Sequence, residues 1–310
     1  MSTSSRNSLP VILIFGPTAA GKTDLVASLF AGRGEVINAD SEQVYRSLSI
    51  GTAKPEREMV ARVPHHLVDV LEPTEQFTVG DFVRAADRIA AEITARRMIP
   101  VVSGGAAFYI RHFVFGLPAA PASDPAIRAE VKRELEEKGS AVLHAELSSL
   151  DPAGASRIHP ADGYRVSRAL EVIRQTGKPL SFFRLRTFPR DEYRFLSIGL
   201  TLPKEELKER IDRRVDAMFA AGLAEEVSRL RALGYGPTTP GMRGIGYREF
   251  FVPEKNAEIT AISAAIKLHS LQYAKRQMTF FRRIPGTHWM HPAQRDVIAG
   301  IVDEFLSISS

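Results

Sequence analysis

Gly16-Pro17-Thr18-Ala19-Ala20-Gly21-Lys22-Thr23 sets glycines, a lysine and a hydroxyl at the spacing G-x-x-x-x-G-K-[ST]. That spacing suits one task. The glycines let backbone N–H groups curl inward around phosphate oxygens. The start of the following helix adds partial positive charge. Lys22 brings a full charge, and the Thr23 hydroxyl can bind Mg²⁺. A phosphate cradle does not name a reaction, because hydrolysis, phosphoryl transfer and pyrophosphate release all use one. The histidines offer less. His65 and His66 are adjacent on a strand and face opposite sides. His288 and His291 have no nearby carboxylate pair, so both pairs read as structural or surface residues.

The elements that must position these groups follow from the hydrophobic pattern. Val11–Phe15 is a continuous apolar run between Pro10 and Gly16, the signature of a strand buried on both faces. Asp24 to Phe30 reads as the helix after the loop. Glu35–Asn38 is a second strand, ending in the polar cluster Asn38-Ala39-Asp40-Ser41, and His66–Leu71 reads as a third. Thr78-Val-Gly-Asp81 resembles a capping box and opens a helix with Phe82, Ala86, Ile89 and Ile93 on one face. Ile99–Val102 is a fourth strand running into Ser103-Gly104-Gly105. Leu117–Ala122 is a linker by composition. Helical patterns run from Asp124 to about Phe183, broken at Asp151–Gly154 and Gly177–Pro179. Arg194–Leu202 reads as a returning strand. Pro203 starts a long helix bearing Leu207, Ile211, Val215 and Met218; further helical stretches run from Ala257 to Phe281 and from Asp296 to Leu306. The expected fold class is α/β: a P-loop-type open parallel sheet flanked by helices, with a helical insertion domain. Residues 1–117 form the first part of the core, 118–190 the insertion, and 191–310 the second part of the core with C-terminal helices.

Composition narrows the classes. A chain of 310 residues suggests about two domains. It has no Cys, which excludes disulfide scaffolds, zinc ribbons, iron–sulfur clusters and cysteine nucleophiles. No apolar run is long enough for a membrane span, and no small-residue cleavage site follows Val11–Phe15, so the expected location is the cytoplasm. Lys and Arg total 41 against 36 Asp and Glu, a net charge of +5, which permits a polyanionic partner. The excess is clustered. Arg157, Arg165, Arg168, Arg174, Lys178, Arg184, Arg186 and Arg190 face only Asp162 and Glu171; Lys267 to Arg283 contains no acid at all. Such blocks supply salt-dependent RNA affinity, or they are solvated faces. Tyr164, Phe182, Phe183, Tyr273, Phe280 and Phe281 interleave them, as platforms for splayed bases or as core.

Beyond the P-loop, several segments resemble the tRNA dimethylallyltransferase family. They are Asn38-Ala-Asp-Ser-Glu-Gln-Val-Tyr-Arg46, Ile50-Gly-Thr-Ala-Lys-Pro55, Pro64-His-His-Leu-Val-Asp69, Arg157-Ile-His-Pro160 and Arg165-Val-Ser-Arg-Ala-Leu-Glu171. Gly244-Ile-Gly-Tyr-Arg248 and Tyr273-Ala-Lys-Arg-Gln277 complete the set. They occur in the family's order and cover about Gly16 to Arg283. The resemblance implies transfer of a dimethylallyl group from dimethylallyl diphosphate to N6 of an adenine next to the anticodon (position 37) of tRNA, with release of pyrophosphate.

An exocyclic amine is a poor nucleophile and needs a general base close by. Asp40 follows the second strand, at the carboxyl end where open α/β sheets bind ligands; by itself it reads equally as a turn-capping Asp, and by resemblance it is the base. The same likeness gives Lys22 and Arg214 catalytic roles at the departing diphosphate, with Thr23 holding Mg²⁺. Arg214 lies in Arg210-Ile-Asp-Arg-Arg214, which matches the family's Arg-Ile-x-x-Arg; alone it reads as a solvated helix residue. The tRNA-contacting residues it implies are Asp40, Ser41, Glu42, Gln43 and Ala106, then Arg128, Tyr164, Arg165, Val166, Ser167 and Arg168 in the insertion. Arg243, Gly244, Ile245, Gly246, Tyr247, Arg248, Lys275, Arg276 and Gln277 follow. It also implies a through-channel, with the diphosphate and the base entering from opposite sides, and a monomer binding the anticodon stem-loop.

The chain departs from the family at Ala106, where Gly-Gly-Thr is usual, and at His269-Ser270, Phe280 and Tyr164, where Gln is usual. Ala106 cannot donate a hydrogen bond, and loss of one positioned donor costs on the order of 10²–10³ in rate. Ser103, Tyr109 or water compensates, or the rate is lower. Other readings are a P-loop small-molecule kinase, an adenylate prenyltransferase acting on free nucleotides, and a non-catalytic RNA-binding protein. The first two have no need of the basic clusters; the last has no need of Lys22, Thr23, Asp40 and Arg214.

Overall fold

The computed structural model describes residues 8–183, 186–251 and 258–308. The chain divides into two compact units, one of Met1–Val114 with Arg190–Ser310 and one of Phe115–Pro189.

The first unit opens with β1 (Leu9–Phe15), α1 (Lys22–Phe30), β2 (Gly34–Asn38), α2 (Arg57–Arg62), β3 (His65–His66), α3 (Val79–Ala95), β4 (Ile99–Gly104) and α4 (Ala107–Phe115). The second unit holds α5 (Pro125–Lys138), α6 (Ser140–Leu150), α7 (Pro152–Ala155) and α8 (Gly163–Thr176). The first unit resumes with β5 (Tyr193–Leu200), α9 (Lys204–Ala220), α10 (Leu223–Ala232), α11 (Ile259–Phe281), β6 (Thr287–Met290) and α12 (Arg295–Ser307). The strands form one six-stranded sheet in the order β3-β2-β4-β1-β5-β6, and every pairing is parallel. The mixed α/β architecture is the one expected.

Val11–Phe15 is completely buried because β1 is central, with β4 and β5 on either side. The parallel sheet brings the carboxyl ends of β1, β2 and β4 to one edge, so the P-loop, the Asp40 loop and Gly104-Gly105 emerge together. The Thr78 capping box forms with both of its bonds. Phe82, Ala86, Ile89 and Ile93 are all buried on α3, so the helical periodicity marks the packed face. On α9, Leu207, Ile211, Val215 and Met218 do the same.

Three elements differ from expectation. The predicted third strand reaches only His65–His66. Leu67 and Asp69 take left-handed φ values of 63° and 54°, which an extended strand cannot accommodate. The chain turns there, and Val70 and Leu71 donate to Val44 O instead. The helix after the P-loop starts at Lys22, two residues earlier than read, because Gly21 supplies a left-handed φ of 83° at its N-cap. The edge strand β6 escapes the sequence pattern, since Thr287-His-Trp-Met290 is short and only partly buried.

The second unit has its own core, formed by Val131, Leu143, Leu147, Ala155, Val166, Ala169 and Leu170. Asp124, Asp151 and Asp162 cap its helices.

Gly104 allows the closest backbone approach at the site edge. A Cβ there would lie 2.1 Å from Ala39 O. Gly104→Ala should therefore lower stability by at least ~1–3 kcal/mol, the usual cost of overpacking a tight core, seen as a lower urea midpoint. An unchanged midpoint would mean that the β2–β4 edge is looser than described.

Candidate active site

Two cavities open at this edge of the sheet, of about 550 Å³ and about 320 Å³. Thr18, Asp40, Arg214 and Tyr273 line both, so the cavities share a wall made from the P-loop, the end of β2, α9 and α11. The larger takes in Thr18 to Asp24, Ser103–Gly105 and a run of cations, Lys22, Arg210, Arg213 and Arg214. The smaller takes in Ser41, Glu42, Arg243–Ile245, Arg248 and Arg276.

Lys22 donates to the carbonyls of Gly16 and Pro17 at 3.1 and 2.9 Å. Burial, together with the charge of Arg214, pushes its pKa down to about 8, although Asp40 opposes the shift. An ammonium so desolvated gains greatly from an anion. Burial also lowers the pKa of Arg214, again opposed by Asp40. Arg214 donates to Thr52 O at 3.4 Å. Asp40, like Arg214, lines both cavities. Its Oδ1 accepts the N–H groups of Glu42 and Gln43 at 2.9 and 3.3 Å. This fixes Oδ1 of the carboxylate in a turn cap while Asp40 also lines both cavities, so both sequence readings of Asp40 are compatible.

The loop behind Asp40 is held from several directions. Gln43 Nε2 donates to Thr52 O and Ala53 O, each at 3.1 Å. Lys54 pairs with Asp69 and also donates to Tyr45 O. The motifs at Ile50–Pro55 and Pro64–Asp69 thus serve to brace the Asp40 loop. Glu226 is the hub beneath it. Only 4% exposed, it accepts the N–H groups of Ser49, Ile50 and Gly51 and the Tyr247 hydroxyl, the last at 2.6 Å. Sequence reading missed Glu226. The available signal was a carboxylate on the apolar face of α10, among Leu223, Val227 and Leu230, all buried. Glu249, likewise buried, holds Gly246 N–H, Arg248 and His269.

Several residues expected to contact tRNA have their side chains engaged within the protein. Tyr247 and Val166 have fully buried side chains, one on Glu226 and the other in the helical core. Arg168 is spent on Ser123, Pro121 O and Glu171. Gln277 is buried and bonds Thr18 N–H and Gly105 O. Three of these side chains are buried, and that of Arg168 is half-buried among its partners. Ile245, Gly244 and Arg248 line the smaller cavity with Arg243, whose guanidinium also donates to Thr238 O. Lys275 and Arg276 are exposed on α11, as are Arg128 on α5 and Tyr164 and Arg165 on α8; Ser167 is half-buried. Tyr164 is 77% exposed.

The basic block also thins. Arg174 pairs with Glu130, Glu134 and Glu146. Arg190 makes a two-pronged bond to Asp87 and stacks over Phe113 and Tyr193. Arg184 lies outside the described residues. Of the interleaved aromatics, Phe281 is core, stacked on Phe15 at 4.8 Å. Ala106 is buried, and its N–H donates to Ala39 O. The Tyr109 hydroxyl is committed to Phe77 O and its ring stacks on Phe82. That leaves Ser103, on the wall of the larger cavity, as the side-chain hydroxyl among those weighed to compensate for Ala106.

The fold and site define a P-loop protein with a cationic cavity that shares a wall, Asp40 included, with a second cavity. The IPP transferase family model matches residues 43–284. The chain is 42% identical over 299 residues to the tRNA dimethylallyltransferase of Geobacter sulfurreducens, covering 95% of this chain and 96% of that one. It is 41% identical to that of Borrelia hermsii, covering 91% and 94%. Among solved structures, the full-length tRNA isopentenylpyrophosphate transferase of Bacillus halodurans matches with a TM-score of 0.70 at 34% identity, covering 97% of this chain and 98% of that one. A eukaryotic dimethylallyltransferase acting on tRNA matches with a TM-score of 0.83 at 27% identity, covering 98% and 81%. The chain belongs to the IPP transferase family.

Glu42 carries a pH signature. Burial first, and then the charge of Asp40, push its carboxyl up to about 8, and among the described residues its Oε2 is buried without a hydrogen-bond partner. The folded state holds this proton where the unfolded chain, near 4.5, releases it. Its contribution to stability is full below pH 4.5 and is lost as pH climbs through about 8. Glu42→Gln mimics the protonated form, so its stability relative to the parent should rise steadily between pH 5 and pH 8 in urea melts. A pH-independent difference would contradict the shift.

Proposed function

We infer that the chain transfers a dimethylallyl group from dimethylallyl diphosphate to tRNA, releasing pyrophosphate. The observation that carries the site assignment is the shared wall: Asp40 and Arg214 stand where the cationic cavity meets the second cavity. The larger cavity takes the diphosphate, cradled by Gly16–Thr23, Lys22 and Arg214. The smaller takes an adenine from the anticodon loop, splayed out of its stack. The N6 lone pair attacks the allylic carbon, the carbon–oxygen bond breaks, and its electron pair leaves with pyrophosphate. Asp40 Oδ2 takes the N6 proton. Lys22 and Arg214 stabilise the charge that develops on the leaving oxygen. A single chain carries both cavities, so a monomer suffices.

The residues present fit a Mg²⁺ ion of the kind that phosphates bring. The Thr23 hydroxyl is on the cavity wall, and among the described residues no group of three or more His, Asp or Glu forms a protein cage. Mg²⁺ keeps several waters and binds through few protein ligands plus substrate phosphates. Thr23 would hold it, and the ion would supply positive charge to the diphosphate. Among the described residues no helix is long and apolar enough to cross a membrane.

Labelled dimethylallyl diphosphate offered with unmodified tRNA, AMP and ATP separates the readings. Label should appear in tRNA alone. Label in AMP would instead make it a free-nucleotide prenyltransferase, and phosphoryl transfer from ATP without prenylation a kinase. Asp40→Asn keeps the shape and removes the base, so turnover should fall by about 10²–10⁴ with an unchanged circular dichroism spectrum. Near-normal turnover would remove Asp40 from that role.

A further inference from the structure

The resemblance groups Gln277 with Lys275 and Arg276 as a contact for tRNA, yet its side chain does other work in this fold. It is 3% exposed. Its Oε1 accepts the backbone N–H of Thr18, inside the P-loop, at 2.9 Å. Its Nε2 donates to the carbonyl of Gly105, just past β4, at 2.8 Å. One amide therefore spans the two loops that form the wall of the larger cavity, from a helix 259 residues away in sequence from Thr18.

The amide is matched to its two partners. Thr18 N–H can only donate and Gly105 O can only accept, so the bridging group must present one acceptor and one donor. Glutamine does this in a single orientation. Glutamate would set a carboxylate oxygen against Gly105 O and bring negative charge to the cationic cavity. Methionine keeps the volume and loses both bonds. The fit is close on the other side too: a Cβ on Gly105 would fall 2.6 Å from Gln277 Nε2.

We propose that Gln277 is a positioning residue for the diphosphate loop: α11 uses its amide to fix Thr18 and Gly105, and so sets the P-loop's shape before substrate arrives. Lys275 and Arg276 are exposed on the same turn of α11, Arg276 also lining the smaller cavity, so the RNA-facing surface and the phosphate loop rest on one helix. Two side chains from one short segment then serve opposite substrates. This inference rests on the assignment of the larger cavity to the diphosphate.

Gln277→Met and Gln277→Glu, with Lys275→Ala as the outward-facing comparison, test it by steady-state transfer assays alongside filter binding of tRNA. Both Gln277 variants should raise the KM for dimethylallyl diphosphate about tenfold or more, Glu beyond Met, with tRNA affinity and its salt slope unchanged. Lys275→Ala should show the opposite split. A weakened tRNA affinity with normal diphosphate KM would make Gln277 an RNA contact and overturn the proposal. Equal damage to both substrates, or to neither, would reduce it to ordinary packing and overturn it as well. If the parent protein itself failed to prenylate tRNA, the function reading would fall, and a pyrophosphate affinity lost in Gln277→Met would still uphold the loop assignment.

Discussion

The central constraint is the burial of positive charge. Burial, and then the charge of Arg214, lower the pKa of Lys22, and burial lowers that of Arg214. One carboxylate, Asp40, opposes them both. Glu42, the next carboxylate, is pushed towards its neutral form by burial and by Asp40. The cavity is therefore held positive and only partly compensated, a state that a folded chain tolerates when the surrounding groups cannot relax. In the proposed reaction a diphosphate would supply the missing charge, turning that uncompensated field into affinity and leaving-group stabilisation.

Everything around the site resists that relaxation. Lys22 is anchored on loop carbonyls, and Arg214 reaches Thr52 O. Thr52 in turn is held by Gln43, and the loop preceding it by three N–H bonds to Glu226. Removing a buried acceptor from such a hub leaves several donors unsatisfied, at about 1–3 kcal/mol each. The network is arranged so that Asp40 stays where both cavities reach it. The parallel sheet makes this possible by delivering three loops to one edge, because each strand ends there.

Much of this was legible in the sequence, for identifiable reasons. The P-loop reads itself, since its glycines, lysine and threonine are fixed by the shape of a phosphate. β1 and α3 were legible because burial on both faces or on one face leaves different periodicities. The failures share a cause: they concern side chains whose role is set by partners distant in the chain. Gln277 looks like part of a basic RNA-facing stretch, and only the fold brings it to Thr18. Arg174 and Arg190 count as basic residues in composition, but their carboxylate partners lie on other helices. Glu226 was missed because its partners at Ser49–Gly51 and Tyr247 are distant in sequence. The turn at Leu67–Asp69 was hidden because Leu and Val predict a strand, whereas tertiary bonds to Gln43 and Val44 dictate left-handed backbone there.

The claim that Asp40 and Arg214 act as one electrostatic unit is tested most directly by a double-mutant cycle on turnover, with Asp40→Asn, Arg214→Gln and the double variant under saturating substrates. Groups that serve one transition state are strongly non-additive. The double variant should be little slower than the worse single variant. Losses that simply multiply would show two independent sites and contradict that claim.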